Sequence, residues 1–180
     1  MSFIDQHLLT LILFVPAVAA LLLLFIPGEK KRLIRWAALI TSLIPLLLSL
    51  IAWANFTSQS SLGGGLFQFE EQAVWYSAIG ASYHVGLDGI ALVMVLLTTI
   101  LVPLVILASF SIEERVKAYM ILFLLLETGM LGVFLSLDLL LFFVFWEIGL
   151  VPMYFLIANW GGKNRNYAAL KFILFTMAGS

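Results

Sequence analysis

Glu127 and Glu147 are the residues best suited to chemistry, because each is the single charge in a long apolar run, between Lys117 and Asp138 and between Asp138 and Lys163. An ionisable side chain deep in a bilayer costs several kcal/mol, so such groups are rare and mark proton or ion paths by default. Desolvation disfavours the carboxylate and a nearby cation favours it, a balance that suits a group which must take up and release a proton. The plainer alternative for either glutamate is a protonated carboxyl that hydrogen-bonds a neighbouring helix. At Glu147 the balance tips toward proton relay. Pro152 lacks the N–H that would bond the carbonyl of Ile148, which leaves an acceptor beside the glutamate that can hold water or simply mark a packing kink. Glu127 is followed by Gly129 and Gly132, small residues that admit another helix closely, so relay residue and hydrogen-bonding strut both stand. Lys171 completes the set, either snorkelling its charge to the headgroups or turning inward as a counter-charge for Glu147.

The elements that position these groups can be counted. A helix needs about 20 apolar residues to cross the ~30 Å of hydrocarbon. Five complete spans result, roughly Leu8 to Ile26, Leu33 to Trp53, Leu87 to Phe110, Lys117 to Leu137 and Leu139 to Asn159, with a truncated sixth from Tyr167. The fold class expected is all-α, a multi-spanning transmembrane protein. Asp138 falls where the fourth and fifth spans meet and is placed at their turn. Counted from that turn, Glu147 and Glu127 lie ~13 and ~16 Å deep, near the midplane.

Lys and Arg stay on the cytoplasmic side of short loops. All nine fall in alternate connections: Lys30, Lys31, Arg32 and Arg35, then Arg115 and Lys117, then Lys163, Arg165 and Lys171. This puts the N-terminus on the outer face, with the acidic connection Ala54 to Gly86 on the same side. A short hairpin is expected there around Leu66 to Tyr76. Gly63 to Gly65 precede no Gly-Lys-Ser/Thr and are not a phosphate cradle. Leu8 to Ile26 contains Ala17-Val18-Ala19, like a cleavage site, but nothing basic precedes it and apolar residues continue beyond, so it reads as a retained span. Asp88, with His84 before it, is placed as a cap at the start of the third span.

Composition closes off other classes. The chain is 63% apolar and 11% charged, against roughly half and about a quarter in soluble domains. A net charge of -1 gives no basic field for nucleic acid. No cysteine is present, which removes disulfides, iron–sulfur ligation and thiolate metal sites from these residues. His7 and His84 have no carboxylate at ligand spacing, so no metal site is expected.

The stretch Gly132 to Gly161, with Phe145-Trp146-Glu147 and Leu150-Val151-Pro152-Met153-Tyr154 at its centre, closely resembles the subunit M (mitochondrial chain 4) family of respiratory complex I. Tyr83 to Met94 resembles that family's third span and Ala169-Leu170-Lys171-Phe172 its sixth. The resemblance implies an N-terminal fragment of a roughly fourteen-helix antiporter-like fold, divided into residues 1–116, a membrane region with the outer loop 54–86, and 117–180, the start of the proton-translocating domain. It implies Glu147 as a proton relay, with Glu127 and Lys171 as secondary candidates. It further implies a multi-pass protein of the bacterial plasma membrane, surrounded by lipid, other membrane subunits and a peripheral redox arm. NADH, FMN, iron–sulfur clusters and quinone would belong to those partners, and no cofactor to this chain. The competing readings are a subunit of a sodium/proton antiporter or membrane-bound hydrogenase, and a non-catalytic membrane scaffold.

Overall fold

Apolar runs that must satisfy their own backbone in a membrane have one local solution, the α-helix. A computed structural model describes residues 7–56, 67–76 and 80–180 of the chain. Among the described residues six helices form: α1 (Leu8–Leu24), α2 (Lys31–Asn55), α3 (Gly89–Ala108), α4 (Val116–Leu135), α5 (Leu139–Trp160) and α6 (Arg165–Gly179), with a 3-10 turn at Ser109–Ser111 after α3. Of these, α2, α3 with its 3-10 turn, α4 and α5 are long and apolar enough to cross a membrane, whereas α1 has 17 residues and α6 has 15.

Two strands, β1 (Gln68–Tyr76) and β2 (Ala81–Leu87), pair antiparallel. The chain is therefore mostly helical rather than all-α. The hairpin expected around Leu66 to Tyr76 is present, with that segment as its first strand and Ala81–Leu87 as its second, while Gly63 to Gly65 and Leu66 lie outside the described residues. Because β2 takes Leu87, the third helix begins two residues later than expected. Asp88 stops the strand and starts the helix, its carboxylate accepting from Ala91 N at 2.6 Å.

The helices bury two apolar clusters stacked along the bundle. Toward the hairpin, Leu9 and Leu13 of α1 meet Val95 of α3, Leu131 and Leu135 of α4 and Phe145 of α5. Toward the other end, Ala19 and Leu23 meet Ala38, Val102, Leu124 and Leu156. Helix α4 is the centre of the arrangement, packing against α1, α2, α3 and α5.

The basic end is tied across its loops. Glu113 accepts from Arg35 at 2.8 Å and Lys31 at 3.1 Å, and Lys117 donates to the carbonyl of Leu24 at 2.7 Å. Hydrogen bonds from Arg35 first, and from Lys31, hold the Glu113 carboxyl below the usual glutamate range. The expected cytoplasmic charges thus close one end of the bundle, and the hairpin closes the other.

Candidate functional site

Glu147 lies in α5 on a half-buried surface that faces α6. The hydroxyl of Ser180 donates to its Oε1 at 2.5 Å. One turn along, Pro152 is buried within α5 and leaves the Ile148 carbonyl without its helical donor. Glu147 thus has a hydroxyl partner and, in the same helix, a carbonyl without its helical donor.

Lys171 does not pair with Glu147: no ion pair within 4 Å joins them. The reason is register. Helix α6 runs from the basic end and meets Glu147 at Ser180, so Lys171, nine residues earlier, lies ~13 Å back toward that end. Its ammonium sits over the rings of Tyr167 and Phe175, 5.9 and 5.7 Å from their centroids. There the lysine can act on Glu147 only at a distance.

Glu127 is set differently. It is 0% exposed, and neither carboxyl oxygen has a protein hydrogen-bond partner. The glycines that follow it do admit a helix. A Cβ on Gly129 would lie 2.9 Å from Gly149 Cα, and one on Gly132 would lie 2.1 Å from the Phe145 ring. The close helix approach expected at these glycines is present, and the structure supplies the partner, α5; Glu127 itself lies on another face of α4.

Asp138 joins the two glutamate-bearing helices. One of its oxygens accepts from Leu140 N at 2.8 Å and Leu141 N at 3.2 Å, capping α5. The other accepts from Ser82 N of the hairpin at 2.9 Å. The amide of Ser82 first, and then that of Leu141, lowers the aspartate below its usual range. Leu137 N also donates to the His84 carbonyl at 2.8 Å, so strand β2 clasps the α4–α5 turn.

A second clasp went unread in the sequence. Glu71 of β1 accepts from Leu9 N at 2.9 Å, Thr10 N at 3.1 Å and the Thr10 hydroxyl at 2.5 Å, capping α1 from 61 residues away. Tyr83 meets the same hydroxyl at 2.7 Å. Burial raises the Tyr83 phenol above its usual range, the Thr10 bond opposes this, and the Glu71 charge adds to it. The only sequence signal was an acidic pair, Glu70-Glu71, in a strand-like segment.

The geometry has counterparts in known proteins. A family profile described as NADH:quinone oxidoreductase/Mrp antiporter, transmembrane, matches residues 136–180, which include Asp138, Glu147 and Lys171. NADH-quinone oxidoreductase subunit M of Rhodobacter capsulatus is 44% identical over 179 residues, covering 97% of this chain and 34% of that protein. NADH-ubiquinone oxidoreductase chain 4 of Marchantia polymorpha is 40% identical over 171 residues, covering 94% and 34%. Among solved structures, respiratory complex I from Thermus thermophilus with bound NADH contains a chain with TM-score 0.78 and 30% identity, covering 95% of this chain and 33% of that one. A membrane-bound sulfane sulfur reductase, an archaeal respiratory membrane complex, shares the fold at TM-score 0.74 and 21% identity. The chain spans about a third of the length of the curated relatives it matches. Over nearly its whole length the chain is similar to members of the NADH-quinone oxidoreductase subunit M and chain 4 family, and its residues 136–180 match the antiporter-like membrane profile.

Proposed function

We propose that this chain is the first part of a proton-translocating subunit of an NADH:quinone oxidoreductase, with Glu147 as its proton relay. The observation that carries this reading is the position of Glu147. It sits at mid-depth in the segment that matches the antiporter profile, beside a Pro152-freed carbonyl and bonded to a hydroxyl. The remainder of the roughly fourteen-helix fold would supply the ionisable groups that pass protons onward, residues 117–180 being the start of that domain and 1–116 its membrane flank. Lys171, offset along α6, would bias Glu147 electrostatically rather than by contact.

Coupling is electrostatic in this reading. Electron transfer from NADH to quinone, through FMN and iron–sulfur clusters in partner subunits, changes charge or hydration near Glu147 and shifts it between proton-bound and free states. Other membrane subunits and a peripheral redox arm are the partners. The alternating placement of nine basic residues supports a bacterial plasma-membrane protein with its N-terminus outside.

The test is NADH-driven acidification of inverted vesicles holding the complete protein, wild type against Glu147→Gln, with assembly and NADH oxidation followed in parallel. Acidification lost in an assembled complex is the expected result. Undiminished acidification in the variant would reduce Glu147 to a packing residue. A wild type that never responds to NADH would point to a stand-alone antiporter.

A further inference from the structure

We propose that helices α1 to α4 enclose a second buried acid site, separate from the α5–α6 face, in which Glu127 is a neutral carboxylic acid hydrogen-bonded to internal water. Direction comes first. Glu127 shares a buried stripe of α4 with Met120, Leu124, Leu131 and Leu135. At ~100° per residue it lies about 40° from Leu131 and about 60° from Leu124, but about 160° from Gly129, the residue that touches α5. Its carboxyl therefore faces the interior of the first four helices and turns its back on Glu147.

The two apolar clusters part at this level, and what stands between them is polar or helix-breaking in each helix. On α4 the clusters end at Leu131 and Leu124, with Glu127 between; on α1 they end at Leu13 and Ala19, with Pro16 between. On α3 they end at Val95 and Val102, with Thr99 between, and on α2 at Ala52 and Ala38, with Ser49 between. Ser49 and Thr99 are both fully buried and bond each other at 2.9 Å. Pro16 deprives the Ile12 carbonyl of its helical donor. A layer of hydroxyls, a released carbonyl and one carboxyl thus crosses an otherwise apolar bundle.

Among the described residues no cation pairs with the acid. Helices α1 and α3 carry no charged residue. On α2 the cations are Lys31, Arg32 and Arg35 at the basic end, where Lys31 and Arg35 are held by Glu113. On α4 the only one is Lys117, bonded to the Leu24 carbonyl. The charged groups of α5 and its cap are Glu147, on another face, and Asp138, at the turn. A fully buried carboxylate without a counter-charge takes the neutral form, which offers one donor and further acceptor capacity. Buried polar groups are hydrogen-bonded, and where the protein provides no partner, water making two to four bonds is what protein interiors supply.

This inference stands apart from the relay role of Glu147, because it concerns the opposite face of α4 and its test does not use pumping. Infrared spectra would be compared for the complete protein in lipid as wild type, Glu127→Gln and Glu147→Gln. Wild type minus Glu127→Gln should leave the carbonyl band of a hydrogen-bonded protonated acid, shifted down in D2O, and a water O–H band that moves in H2(18)O. Both should persist in Glu147→Gln. Loss of a carboxylate band in place of the acid band would overturn the neutral form. An acid band at the free-acid frequency, without the isotope-sensitive water band, would overturn the hydrated site. Should Glu127→Gln fail to insert, Glu127→Asp replaces it: a displaced acid band supports the site, and no displaced band refutes it.

Discussion

Glu127 and Glu147 each precede by two residues a glycine of the Gly129–Gly149 contact, at which α4 touches α5, yet their surroundings are opposed. One carboxyl is sealed among four helices with no protein partner. The other is half-buried, hydroxyl-bonded and beside a proline break. The same side chain at nearly the same depth is thus presented to two different media. Depth alone does not distinguish the two acids: one meets the α5–α6 face and the other the interior of the first four helices.

The glycine contact is the place to break this comparison, with the largest stability effect expected. In Gly129→Ala the new methyl would meet Gly149 Cα at 2.9 Å and its nitrogen at 3.1 Å. Both are backbone atoms that cannot rotate aside, so α5 must shift, at an overpacking cost of about 1–3 kcal/mol. Thermal unfolding of the complete protein should move down and NADH-driven acidification should fall, because Glu147 moves with α5. The infrared signature of Glu127 should not change, since its face of α4 is untouched. A variant in which the Glu127 signature changes while acidification holds would reverse the roles assigned to the two faces.

A smaller effect sharpens the same comparison from the sealed side. Thr99→Val removes the 2.9 Å bond to Ser49 while Ser49 keeps its bond to the Leu46 carbonyl at 2.8 Å. Interhelical bonds of this kind in membranes are worth about 0.6 kcal/mol on average. Stability should drop by about that amount with pumping unchanged, as read by thermal unfolding and vesicle acidification. A large loss of pumping would show that the polar layer of α1 to α4 belongs to the proton path after all.

Depth was legible in the sequence and facing was not. Span positions follow from counting apolar residues, and the turn at Asp138 follows from one charge between two spans, so both glutamates were expected well inside their helices, which is where α4 and α5 carry them. Which side of its helix each one uses depends on a contrast between inner and outer faces. In water that contrast is apolar against polar, but in lipid both faces are apolar, and the stripe Met120, Leu124, Leu131, Leu135 is no more apolar than its surroundings. The choice between the two roles of Lys171 stayed open for a related reason: its offset from Glu147 is set by the register of α6 against α5, which no local pattern encodes. The hairpin was half seen. Its alternation marked β1, but the capping of α1 by Glu71 is a contact across 61 residues and needs the fold to reveal it.

Asp138 ties the hairpin to the α4–α5 turn, and the effect predicted for it is the smallest because it is local to three amides and in the wild type shows only in acid. Its folded-state carboxyl titrates below the usual aspartate range, chiefly through the Ser82 amide. A lowered value means that the ionised group stabilises the clasp above the unfolded aspartate range, and that this contribution disappears as pH falls through the lowered folded value. Hydrogen exchange at the Ser82, Leu140 and Leu141 amides should therefore stay slow, after correction for intrinsic rates, from neutral pH through the ordinary aspartate range. Protection should be lost only in stronger acid. In Asp138→Asn the corrected exchange should be faster at neutral pH and lose that acid dependence. Protection that decays already within the ordinary range would mean that the hairpin does not hold this carboxylate, and that the α4–α5 alignment rests on the Gly129–Gly149 and Gly132–Phe145 contacts and the Leu137–His84 bond.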